Sequence, residues 1–289
     1  MPTTRQIRTR IRTAKNIQQI TKAMKMVAAA RLKKAQDRVQ AARPYSEKMR
    51  EVMASLGEAA GGSVSHPLLE TREVNRVGFI VISADRGLCG SYSTNLLKKA
   101  AEAVRPYQSN QTRILAVARK GATYFRRRNY PISAEYELNM TGAAFAEAQE
   151  IGSQARQLYI SGEVDAVYLV YTKFISALTQ RPLTIPLLPL SAEATGEGEA
   201  SAGGEDYIYE PGAEAILSRL LPQYVDVVIY QALLEAVASE HGSRMTAMSS
   251  ATDNAGKMIS TLTLALNRAR QASITKEIAE IVGGAEAMK

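Results

Sequence analysis

The chain has no tryptophan, four phenylalanines, one cysteine and two histidines in 289 residues. A single thiol, Cys89, excludes an internal disulfide and any thiolate metal cluster. His66 and His241 are too few and too far apart to suggest a zinc site. No apolar run approaches the roughly eighteen residues that a bilayer span requires. The N-terminus is basic but lacks the apolar core of a signal peptide, so a reducing cytoplasm is the expected compartment. Few aromatics beside abundant alanine suit long, closely packed helices more than a β-sandwich. Between Pro2 and Pro44 neither glycine nor proline occurs for 41 residues. A helix over that stretch would extend about 60 Å.

Acidic side chains are scarce in the same place. Residues 1–50 carry fourteen Lys or Arg against Asp37 and Glu47, whereas the other 239 residues hold 22 basic and 26 acidic groups. The excess that makes the net charge +8 therefore lies in the first segment and points to an acidic partner for it. Its apolar stripe runs through Ile7, Ile11, Ala14, Ile17, Ile20, Met24 and Val27. The stripe shifts at Ala28 and resumes through Leu32, Ala35, Val39 and Ala42. A drifting stripe fits a helix wrapped gently around another. A nucleic-acid grip and a membrane-surface helix are the alternatives. The first lacks stacking aromatics between residues 1 and 44, and the second would want bulky Leu, Phe or Trp instead of alanine.

After Pro222 a heptad continues to Gly283 through Val227, Tyr230, Leu234, Val237, His241, Arg244, Met248, Ala251, Ala255, Met258, Leu262, Ala265, Ala269 and Ala272. Alternating steps of three and four are the pattern of a left-handed coiled coil. The polar pair His241 and Arg244 either sets register or marks an opening of the seam. Each terminal helix needs a partner, and the simplest is the other one, antiparallel because the intervening domain returns the chain to its start. The C-terminal helix is longer by roughly twenty residues, leaving Ile274, Ile278, Ile281 and Val282 uncovered by the first.

Between the helices, the runs at 76–85, 113–118 and 165–174 are short, apolar and β-branched, and 181–190 reads as an edge strand because its prolines cannot serve a central ladder. Helical segments near 91–105, 119–128 and 142–160 alternate with them. This alternation predicts a mostly parallel sheet covered by helices. The expected divisions are an N-terminal helix at 1–57, a Rossmann-like α/β domain at 75–190, a flexible acidic loop at 191–210 and a C-terminal helix at 211–289. The fold class is α/β, a long antiparallel two-helix coiled coil with an inserted Rossmann-like domain.

Motifs for chemistry are weak. "SADRGLCGSYS" (83–93) sits where phosphate loops sit, but Gly87 and Gly90 do not make G-x-G-x-x-G, and no Lys-Ser/Thr pair follows. A tight strand–helix turn is the better reading, and for Asp85 a surface or turn-stabilising role is commoner than acid–base work with Arg86. No nucleophile–base pair, paired carboxylates or metal spacing is present, so neither catalytic residues nor a cofactor are expected.

"IRTRIRTAKNIQQITKAMKMVAAARLKKAQ" near the start, "DRGLCG" at 85–90, "RMTAMSSATDNAGKMI" at 244–259 and "ARQASITKEIAEIVGGAEA" near the end resemble the gamma subunits of F-type ATP synthases. The likeness runs through the chain in order. It implies a non-catalytic rotor shaft on the cytoplasmic face of the cell membrane, touching the membrane only through its complex. The implied partners are the alpha, beta and epsilon subunits and the ring of c subunits, with no nucleic acid. Met24 and Lys25 match the family position facing an acidic loop on beta, and Arg244 matches a residue near the same contact. Arg270, Gln271 and Thr275 match polar contacts with the beta and alpha collar. The insertion and cysteine pair of photosynthetic relatives have no counterpart, which favours a non-photosynthetic bacterial type without a thiol switch. Two rivals remain: a nucleic-acid-binding protein using the basic helix, and a stand-alone enzyme built on the α/β domain.

Overall fold

The structure, a computed structural model, describes residues 3–59, 66–139, 145–190 and 212–286. The expected acidic loop at 191–210 lies outside the described residues. The first helix, α1, spans Thr4–Ala59 and runs through Pro44, and the last, α5, spans Ala213–Glu286 and runs through Pro222. Between them come β1 (Val77–Ile82), α2 (Tyr92–Val104), β2 (Thr112–Val117), α3 (Arg119–Arg126), β3 (Ile132–Tyr136), α4 (Phe145–Ile160), β4 (Ala166–Phe174) and β5 (Gln180–Leu188). The chain divides into two compact units, one of Met1–Ala28 with Met245–Lys289 and one of Ala29–Arg244.

The larger unit is built on a five-stranded sheet of order β3-β2-β1-β4-β5. Its first four strands are parallel, and β5 is antiparallel to β4. Pro182 and Pro186 fall opposite Thr172 and Tyr168 on an outer strand, where a missing N–H leaves no neighbour unserved. The strand β3 was absent from the expected set. Its "ISAEY" alternates half-buried with exposed side chains, so it has no apolar run to reveal it.

Right-handed crossovers explain the layers. From β1 to β2 to β3 the chain moves one way, which places α2 and α3 on one face. From β3 it returns past β1 to β4, which puts α4 on the other. The first layer packs Val77, Phe79 and Val81 of β1 with Leu96, Ala100 and Val104 of α2 and with Ala122 and Phe125 of α3. On α4, Ile151, Ala155 and Leu158 are buried. Arg156 ties that helix to α5, pairing with Asp226 and donating to the Pro222 carbonyl at 2.9 Å. One stretch of α5 is long and apolar enough to cross a membrane, contrary to expectation, but 67% of it is buried in the protein. A helix packed on several sides is apolar all round for that reason.

In the smaller unit α1 and α5 run antiparallel. As the α1 position rises from Gln18 through Thr21 to Lys25, its α5 neighbour falls from Gly256 through Thr252 to Ser249. The seam differs from the expected stripe. On α1 it takes Ile7, Ile11, Ala14, Gln18, Thr21, Met24 and Ala28, every third or fourth residue without drift. Ile17, Ile20 and Val27, assigned to it from their apolar character, are 48%, 59% and 53% exposed. On α5 the seam passes through Met248, Thr252, Ala255, Ile259, Leu262, Leu266 and Ala269, while Met258, Ala265 and Ala272 face outward. Small and polar residues, Ala14, Gln18, Thr21, Thr252 and Ala255, take the middle of this seam, where they let the two helices approach closely, and Ile7, Ile11, Ile259, Leu262 and Leu266 take its far end. The threonines satisfy each other across it.

Candidate partner-contact site

The contact residues expected from the sequence divide between the two units. In the smaller one, Met24 is half-buried and Lys25 is exposed, its Nζ donating to Ser249 Oγ at 3.0 Å. The lysine is thereby held against the coil with its charge still in water. Farther along α5, Arg270, Gln271 and Thr275 are all exposed. From Arg270 to Gly284 no described side chain is covered, and Ile274, Ile278, Ile281 and Val282 are 48%, 56%, 72% and 55% exposed. Helical order in this stretch is supported by Ser273 with Glu277 and Lys276 with Glu280.

In the larger unit the loop after β1 forms a tight turn. Ser83 Oγ accepts from Gly121 N–H at 2.8 Å, Asp85 Oδ1 accepts from Arg119 N–H at 2.9 Å, and Lys120 N–H reaches the Ala84 carbonyl. Three amides at the start of α3 are therefore taken by the chain itself and are unavailable to a phosphate. A Cβ on Gly121 would stand 3.0 Å from Ser83 Oγ and push that hydroxyl aside, so the close approach favours glycine there. Of the two roles open to Asp85, surface or turn-stabilising, the bond to the Arg119 amide gives it the second. Leu88, at φ +62°, adopts a left-handed conformation that costs a non-glycine residue about 1 kcal/mol. Its side chain is nevertheless 64% exposed.

What holds this loop is α5. Tyr92 OH donates to the Ala236 carbonyl at 3.3 Å, Ser239 Oγ to the Thr172 carbonyl at 3.0 Å, and Arg244 Nη2 to the Gly87 carbonyl at 3.4 Å. Arg244 also pairs with Glu240 one turn earlier. The Glu240 carboxyl is pushed above its usual range by burial and pulled back by Arg244, with Asp85 adding to the upward push. Arg244 is thus turned inward, with a side chain 13% exposed, whereas Lys25 keeps its charge accessible. The Glu240–Arg244 spacing of four on a helix is the sequence signal for this pair.

The crossing of α5 also settles what the sheet can do. In open α/β sheets ligands enter the crevice beyond the C-terminal ends of the strands, where the order reverses. Here that point lies between β1 and β4, and residues 236–244 of α5 fill it through Tyr92, Thr172 and Gly87. Among the described residues no three His, Cys, Asp or Glu side chains converge as a metal site.

The ATP synthase family model matches residues 3–288. The ATP synthase gamma chain of Desulforamulus reducens is 50% identical over 289 residues, covering all of both chains. That of Brevibacillus brevis is 47% identical over 98% of each. Among solved structures, the central stalk and c-ring of the Tetrahymena thermophila mitochondrial ATP synthase contains a chain matching with TM-score 0.60 and 26% identity, over 80% of this chain and 99% of that one. A chain of the Euglena gracilis mitochondrial ATP synthase matches with TM-score 0.70 over 99% of this chain and 94% of that one, at 18% identity. The fold is shared even at that distance.

Proposed function

The chain belongs to the ATP synthase gamma-chain family, and on that premise we infer that it is the central-stalk rotor subunit of a proton-translocating F-type enzyme. The observation that carries this reading is half-identity to gamma chains over the full length. The nucleic-acid alternative finds no support among these relatives. The shaft couples proton-driven turning of a membrane ring to ATP synthesis at sites on beta subunits, and makes no covalent chemistry of its own. A crevice filled by α5 agrees with that role. Partners are the alpha, beta and epsilon subunits and the c-ring, and the location is the cytoplasmic face of the cell membrane.

A shaft changes a partner's site only through contacts that differ between its faces. The exposed Lys25 supplies a charge that can meet an acidic beta loop and release it without deep burial, alongside Met24. Arg244 acts as a positioning residue, holding the loop that presents Leu88. Arg270, Gln271 and Thr275 sit on the uncovered tip of α5 and supply polar contacts to the beta and alpha collar. Ile17, Ile20 and Val27 form an apolar outer face of α1 suited to a surrounding ring. Purifying the tagged chain from its own cells tests the assignment: alpha- and beta-type subunits should copurify with ATPase activity. Recovery of the chain without them would overturn it.

A further inference from the structure

The net −4 of the chain beyond residue 50 conceals a second concentration of positive charge. Residues 119–128, RKGATYFRRR, hold five basic side chains and no acid. The helix α3 buries Gly121, Ala122 and Phe125. Its period therefore turns Arg119, Lys120 and Arg127 to solvent, with Arg128 beside them. With Asp85 and Tyr124 these four line an open depression of about 610 Å³. Of the nearby carboxylates, Glu135 pairs with Arg126, while Asp85 accepts from the Arg119 amide inside the depression and sets one negative charge against the four cations. Among the described residues the ion pairs include none to Arg119, Lys120, Arg127 or Arg128. Like charges gathered in this way repel one another unless a partner meets them.

We propose that this face of α3 docks a carboxylate-rich peptide segment of a partner protein. The cations stand in two pairs, Arg119 with Lys120 and Arg127 with Arg128, whose backbones are about 12 Å apart at 1.5 Å per residue, Arg128 folding back over Tyr124. A single phosphate cannot span that distance. Two carboxylates about four residues apart on an extended strand can, at roughly 3.3 Å per residue. Guanidinium forks donate bidentately to carboxylates. The Arg128 guanidinium, 3.6 Å from the Tyr124 ring centre, already takes the stacking face that a base would need on this side. No large apolar side chain between 119 and 128 is among the exposed ones, so nothing there would enter a bilayer.

The test attaches an environment-sensitive dye to Thr123→Cys in the full chain, where Cys89, 2% exposed, leaves the new thiol as the reactive one. Hexaglutamate titrated at low salt should give a saturable signal that salt weakens. R119Q/K120Q/R127Q/R128Q should weaken binding at least tenfold. R119Q/K120Q alone should weaken it about threefold, which keeps the test standing should the quadruple variant not fold. R5Q/R8Q/R12Q/K15Q, removing as many charges from α1, should leave the signal within twofold. Unchanged affinity in the α3 variants would overturn the proposal, as would equal loss in the α1 variant. Tighter binding of pyrophosphate or of phosphatidylglycerol vesicles than of the peptide would overturn it too.

Discussion

The hydroxyl of Thr252 on α5 lies 2.8 Å from Thr21 Oγ1 on α1, a hydrogen bond across an antiparallel seam. Thr21 is 9% exposed and also bonds back to the Ile17 carbonyl at 3.0 Å, so the pair joins two backbones through two side chains. Polar links in place of bulky apolar knobs let the helices lie close and fix their register.

Thr21→Val and Thr252→Val should each lower stability by about 1 kcal/mol, and the double variant should lose less than the sum by roughly 0.5–1.5 kcal/mol. Denaturant unfolding of the four forms measures this coupling. A coupling of zero would remove the link from the seam.

Arg156 and Asp226 form a buried pair, with side chains 16% and 7% exposed. Asp226→Ala strands a buried guanidinium and should cost about 3–5 kcal/mol, seen as a large fall in the unfolding midpoint. Replacing both by leucine should recover most of that loss.

The apolar runs of β1, β2 and β4 and the prolines of β5 were readable as a sheet with an outer strand. The seam was not, because periodicity weighs hydrophobicity, whereas Gln18 and Thr21 occupy it through size and hydrogen bonding. The basic face of α3 was lost in a charge balance taken over 239 residues. Nor could the sequence show Arg244 turned inward, since that depends on where the loop of Gly87 and Leu88 returns in space.

Glu235 is 6% exposed beside a cavity of about 230 Å³ shared with Arg50, Lys173 and Tyr171. Burial raises its carboxyl above the usual range, against the pull of Gln231 and Lys173. A raised folded value means its contribution is full below the unfolded value and is lost as pH rises through the folded one. Glu235→Gln should therefore gain stability relative to the parent as pH increases from 4 to 8. Parallel pH profiles of the two proteins would contradict this.

Lys25→Glu tests the accessible contact more cleanly than a change at Arg244, whose reversal would set a second acid against buried Glu240. Assembly of the complex should be unchanged, while proton-driven ATP synthesis falls several-fold. Synthesis at the parental rate would remove Lys25 from coupling.

The rotor reading is tested most directly by watching the chain turn. A probe fixed through Leu178→Cys, on a side chain 79% exposed, would be followed while the surrounding catalytic subunits are held to a surface and supplied with ATP. Continuous rotation in one direction is the predicted result. Undiminished hydrolysis with a stationary probe would contradict it.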